Sequence, residues 1–112
     1  MIESYRFGHI VIDGKTYTSD VIIYSDRVED NWWRKQGHRV APEDLEDVLA
    51  EEDKTLIIGT GNFGLVRVPP ETLEHLSSRG FEVIVEKTGD ACQTYNRLSQ
   101  QGPVIAALHL AC

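Results

Sequence analysis

The sequence predicts one α/β domain of three layers, in which an N-terminal antiparallel β unit precedes a β-α-β-α-β run that builds a mixed central sheet. Asp13-Gly14 stands between two β-prone runs, the short-range signal for a two-residue hairpin turn. In the second half, stretches with helical apolar spacing alternate with short apolar runs. The last such run, Val104–Leu108, is almost wholly apolar, which suits a central strand covered on both faces. The 112 residues fit a single domain spanning 1–112, long enough to bury roughly two-thirds of the surface its unfolded chain exposes.

Taken in order, Arg6 to Asp13 carries Ile10-Val11-Ile12 into the Asp13-Gly14 turn, and Lys15–Thr18 returns as a β-branched and aromatic strand. Val21–Tyr24 is a continuous apolar strand stopped by Ser25-Asp26. Val28 to Val40 has no clear pattern, but in an extended segment the neighbours Trp32 and Trp33 would point to opposite faces. One ring is expected to cap the core and the other to lie near the surface beside Arg34 and Lys35. Pro42-Glu43-Asp44 opens a helix with Leu45, Val48 and Leu49 on one stripe, and Glu51–Asp53 follow as an exposed charge run. Thr55–Ile58 is a buried strand, Gly59–Gly64 a glycine loop and Leu65–Val68 an extended segment. Pro69-Pro70-Glu71 starts a helix carrying Leu73 and Leu76 that ends near Gly80. Phe81–Val85 is the next strand. Thr88 is the expected N-cap of a helix with Ala91, Tyr95 and Leu98 at i, i+4 and i+7, closed by Gly102-Pro103. A right-handed strand–helix–strand crossover makes Thr55–Ile58 and Glu82–Val85 parallel, so the Gly59–Gly64 loop and the Thr88 helix start fall on one rim.

Composition narrows the function classes. Hydrophobic residues are 41% and charged residues 26%, as in ordinary globular proteins. Eighteen acidic against 11 basic residues give a net charge of −7, which disfavours phosphate backbones and anionic lipid. The one basic cluster, Arg34-Lys35 with His38 and Arg39, is short, so no nucleic-acid partner is expected. Cys92 and Cys112 are too few for a disulfide framework, and no C-x-x-C pair is present. His109 and Cys112 form a lone H-x-x-C without the second ligand cluster usual in structural zinc sites, so neither metal nor cofactor is expected. No stretch has the length and apolarity of a membrane span, and the N-terminus has no signal-peptide pattern. A cytoplasmic location is the resulting expectation.

Gly59-Thr60-Gly61-Asn62-Phe63-Gly64 matches G-x-G-x-x-G. A dinucleotide fingerprint requires that loop to open a helix directly, whereas Leu65–Val68 is extended and the helix begins too late. The glycines then serve close packing in an irregular loop. Thr94 and Asn96 sit mid-helix, where short polar side chains are neutral or unfavourable, and are expected to tie the helix to a neighbouring loop by buried hydrogen bonds. Cys92, in the first turn after Thr88, is the one candidate nucleophile, but an apolar unreactive thiol is the simpler expectation. No catalytic residue is assigned.

Three blocks together resemble a known family: I-D-G-x-x-Y (Ile12 to Tyr17), I-I-G-T-G (Ile57 to Gly61), and Thr88-Gly89-Asp90-Ala91-Cys92-Gln93-Thr94-Tyr95-Asn96-Arg97-Leu98. The last resembles the T-x-x-A-x-x-T-[YF]-N-x-L signature of a small, poorly characterised α/β domain family. That family includes the mitochondrial assembly factor of the NADH dehydrogenase (complex I) alpha subcomplex and an adipogenesis-associated domain protein. The resemblance implies a compact three-layer domain with a mixed central sheet and no established activity. Pro103 stands where family members often carry an Arg after the glycine that ends the last helix.

Two functional readings follow. In the first, the chain is a non-enzymatic protein-binding or assembly-type module that uses the surface around Trp32, Trp33 and Arg34, as far as His38, since Trp and Arg are enriched at interface hot spots. In the second, it is a small-molecule-binding domain or enzyme with a cleft at the rim. Gly59, Gly61, Asn62, Gly64, Thr88 and Asn96 would line that cleft.

Overall fold

A computed structural model describes residues 1–112. Two sheets and three helical segments stack in three layers. A three-stranded antiparallel sheet is formed by β1 (Ile2–Arg6), β2 (His9–Ile12) and β3 (Lys15–Tyr17). The central sheet contains β4 (Val21–Ile23), β5 (Val28–Glu29), β6 (Thr55–Thr60), β7 (Glu82–Glu86) and β8 (Ile105–His109), in the order β5-β4-β8-β6-β7. The mixed sheet expected from sequence is present: β6 runs parallel to β7 and β8, while β4 pairs antiparallel with β5 and β8.

The β2–β3 hairpin turns on Asp13 (φ 49°) and Gly14 (φ 81°), with Ile12 opposite Lys15. Positive φ at both central positions is what a type I′ turn needs, and the pair Asp-Gly tolerates it. β1 was not expected, because IESYR is mostly polar; pairing with β2 supplies the order that its composition does not. The segment from Pro42 is also shorter than the expected helix. It is a 3₁₀ turn (Pro42–Leu45) followed by one α turn, α1 (Glu46–Leu49).

Alternation along the central strands sorts their side chains into two cores. Val21, Ile23, Ile57, Ala106 and Leu108 face Ala91, Cys92 and Tyr95 of α3 (Thr88–Ser99), together with Ile2, Ile10 and Ile12 of the small sheet. Ile22, Leu56, Ile58, Ile105 and Ala107 face the other way, onto Leu45, Val48 and Leu76, the last from α2 (Pro70–Ser78). All five residues of β8 are buried, as its apolar run requires. α2 closes on Gly80 (φ 87°), with Gly80 N–H donating to Ser77 and Phe81 N–H to Leu76.

Asn96 explains how the small sheet is held. Its amide accepts from the Ile2 N–H and donates to the Ile2 carbonyl, both at 2.8 Å, so a side chain of α3 acts as a strand partner for β1. Thr94 likewise donates to Glu86 Oε1 of β7 at 2.6 Å. Replacing Asn96 by Ala would strand both backbone groups of the buried Ile2. The expected loss is about 1–3 kcal/mol of folding free energy, read as a lowered midpoint in urea unfolding. An unchanged midpoint would show that this tie contributes nothing.

Candidate functional site

The carboxyl ends of β6 and β8 lie side by side, Thr60 opposite His109, and the start of β4 meets the end of β8, Val21 opposite Leu108. β6 leads outward to β7 on one side, and α3 carries the chain back across to β8 on the other, so strand order reverses at this edge. Open α/β sheets place their sites at such an edge. Asp20, just ahead of β4, is thereby brought against His109 and Leu110.

Asp20 is the hub. Its Oδ1 accepts from the Leu110 N–H at 2.8 Å. Its Oδ2 lies 2.7 Å from His109 Nδ1 and 2.9 Å from Arg34 Nη2. Arg34 Nη2 and His109 Nδ1 are also 3.0 Å apart. A guanidinium has only donors and an ionised carboxylate only acceptors, so Nδ1 carries its hydrogen toward Asp20 and both nitrogens converge on one oxygen. In the neutral ring Nε2 then holds the lone pair. It is buried and has no hydrogen-bond partner.

Burial pushes the Asp20 carboxyl up, but the bonds from His109, the Leu110 amide and Arg34 outweigh it and hold the group below the ordinary aspartate range. Arg34 is buried despite its charge. Its Nε donates to the Gly37 carbonyl at 3.0 Å and its guanidinium stacks 4.6 Å from the Trp32 ring centroid.

The glycine loop packs directly on this network. Gly61 has φ 104°, and a Cβ there would collide with the Cys112 backbone and meet His109 Cδ2 at 2.9 Å. At Gly59, within β6, a Cβ would meet the Thr88 hydroxyl at 2.8 Å. The Thr88 hydroxyl accepts from the Gly61 N–H at 2.8 Å and donates to the His109 carbonyl at 2.6 Å. It does not cap its helix. The N-cap is Lys87, and the threonine side chain is drawn across to the loop instead.

Of the residues expected to line a cleft, Gly59, Gly61 and Thr88 are therefore brought together, but their polar groups are committed internally. The Asn62 N–H donates to Ala111 and the Gly64 N–H to Gly61, so these amides offer nothing to an anion. Asn96 is turned away onto β1. Cys92 is buried, and burial pushes its thiol up to about 12, which leaves it without nucleophilic character at neutral pH.

The expected contact residues separate as well. Trp32 is half-buried against the second core and donates from Nε1 to the Asp44 carbonyl at 2.9 Å. Arg34 is turned inward. Trp33 is 74% exposed, beside a cavity of about 260 Å³ whose walls include Glu29, Asp30, Glu43, Glu46 and Asp47. A second exposed aromatic pair, Phe7 and Phe63, has ring centroids 6.1 Å apart.

Sequence reasoning did not find Asp20 or the role of His109. The one available signal was an aspartate immediately before an apolar strand and a histidine at the end of another. His38 joins them in space: one ring nitrogen from each of His38 and His109 and the Cys112 sulfur lie within 4.8 Å of one another. These are the residues able to hold a metal ion.

The lowered Asp20 ionisation couples folding to pH. A carboxyl held lower in the folded state adds stability above its unfolded value, and that stability is lost as pH falls through the folded value. Stability is therefore expected to drop below about pH 4, the ordinary aspartate range. Urea midpoints measured over this window would show a shallower acid limb in Asp20→Asn. Equal slopes would remove Asp20 as a contributor.

Comparison with known proteins agrees with the fold. The chain is 28% identical over 109 residues to mouse NADH dehydrogenase [ubiquinone] 1 alpha subcomplex assembly factor 3, a match covering 95% of this chain. It spans only 57% of that relative's length. The conserved hypothetical protein PH1505 from Pyrococcus horikoshii is similar over 100% of this chain and 99% of its own, at 31% identity and a TM-score of 0.85. An outer membrane protein from Bartonella henselae is similar over 99% of this chain and 94% of its own, at 26% identity and a TM-score of 0.83. A family model described as "Protein of unknown function (DUF498/DUF598)" matches residues 2–109, and the chain belongs to that family.

Proposed function

We propose that the chain is a non-enzymatic, cytoplasmic protein-binding module of assembly type, and that its contact surface is centred on Trp33. The observation that carries this reading is the exposure of Trp33, 74% open to solvent while its neighbour Trp32 is anchored in the core. A large aromatic side chain held on a fixed backbone offers contact area at little entropic cost, and tryptophan is enriched among residues that dominate binding energy. The acid-lined cavity beside it suits a partner segment that carries Lys or Arg. The likeness to an assembly factor supports the same class of role.

Cytoplasmic residence is supported by two free cysteines, as expected of a reducing compartment. No helix is long and apolar enough to cross a membrane. The alternative of a small-molecule cleft at the glycine loop has less support, because the loop amides and the Thr88 hydroxyl are taken up internally.

Affinity capture from the native host, run in parallel with wild type and Trp33→Ala, tests the reading. The substitution removes an exposed ring, so the fold should be kept. The captured partner is expected to bind the variant more weakly by about 2 kcal/mol, or roughly thirtyfold, and to be released by added salt. Equal capture by both proteins would rule out Trp33 as the centre of the contact.

A further inference from the structure

We propose that His38, His109 and Cys112 form a binding site for a zinc-class divalent ion, with Asp20 as the outer partner that orients His109. Three independent features support the site. The donor set, two imidazoles and one thiol, is that of a borderline-soft transition metal. Its donor atoms lie within 4.8 Å of one another. The third feature is the His109 ring itself, whose buried Nε2 has no partner while Nδ1 is engaged by Asp20.

A carboxylate on the far nitrogen is the usual companion of a metal-bound histidine, because it fixes the tautomer and makes the ligating nitrogen more basic. His109 has that arrangement, with Asp20 on Nδ1 and Nε2 left free. Around tetrahedral zinc, a nitrogen at about 2.05 Å and a sulfur at about 2.3 Å stand about 3.5 Å apart. His38 Nε2 and Cys112 Sγ are separated by 3.7 Å, close to that edge. The His38 and His109 rings meet edge to face with centroids 6.2 Å apart, so their nitrogens can converge on one point without stacking.

The supports are rigid on one side and adaptable on the other. His109 ends a fully buried strand, and its carbonyl is held by Thr88 at 2.6 Å. The His38 carbonyl is tied by the Arg67 N–H at 2.8 Å, whereas its side chain is exposed and Cys112 is half-buried. Closure of the remaining edges onto an ion requires movement of about 1 Å by those two side chains. The Cys112 thiol gives up its proton to solvent as the metal binds, and three protein ligands leave a fourth position for water or a partner's side chain.

Titration of the metal-free, reduced protein with Co2+ tests the site, because a cobalt–thiolate bond has a charge-transfer absorption that carboxylate binding lacks. One equivalent is expected to saturate the band, and Zn2+ to displace it. His38→Ala and Cys112→Ser, both at accessible positions, should keep the native circular dichroism. The first should weaken cobalt binding by about tenfold or more, and the second should abolish the band. Absence of the band in wild type, or its persistence in Cys112→Ser, would overturn the proposal.

Discussion

The polar edge of this domain depends on one carboxylate. Asp20 takes a backbone amide on one oxygen and two nitrogen donors on the other, and thereby joins three segments distant in sequence. Arg34 shows why the arrangement is obligatory. A guanidinium buried beneath Trp32 needs a counter-charge, and leaving a buried ion unpaired costs several kcal/mol. With Asp20 in place, the charge is balanced and the loop carrying the tryptophans is fixed to the sheet. The same carboxylate sets the His109 ring, so packing of the Trp loop and orientation of the imidazole are consequences of one interaction.

The glycine loop is best understood from the same edge. Its match to a nucleotide-binding pattern lacks the helix that pattern needs directly after the loop, since α2 begins only at Pro70. Gly61 is glycine because the Cys112 backbone and the His109 ring occupy the place of a side chain. Thr88 completes the clamp by bridging the Gly61 amide and the His109 carbonyl through one hydroxyl. The loop serves as the wall against which the end of β8 is held, and its exposed tip carries Phe63.

Much of the fold was legible in the sequence because it rests on local rules. The Asp13-Gly14 hairpin, the glycine stop at Gly80 and the apolar runs of β6 and β8 are each stated by neighbouring residues. β1 was not legible, because a polar strand is made by its partner and by Asn96, 94 positions away. The polar edge was hidden for the same reason. Asp20 and Arg34 are 14 positions apart, and Asp20 and His109 are 89 apart. No periodicity links them, and Arg34 in a basic, polar run reads as surface. Thr88 was legible as important but not in its role, since the helix start offered a local partner that tertiary packing overrode.

The most direct test of this account is the tautomer of His109, read from the nitrogen shifts and long-range proton couplings of its imidazole by NMR near neutral pH. With Asp20 as the hub, the neutral ring should carry its hydrogen on Nδ1 and leave Nε2 unprotonated. A hydrogen on Nε2, with Arg34 donating to a bare Nδ1, would contradict it and remove the basis for any site facing His38 and Cys112.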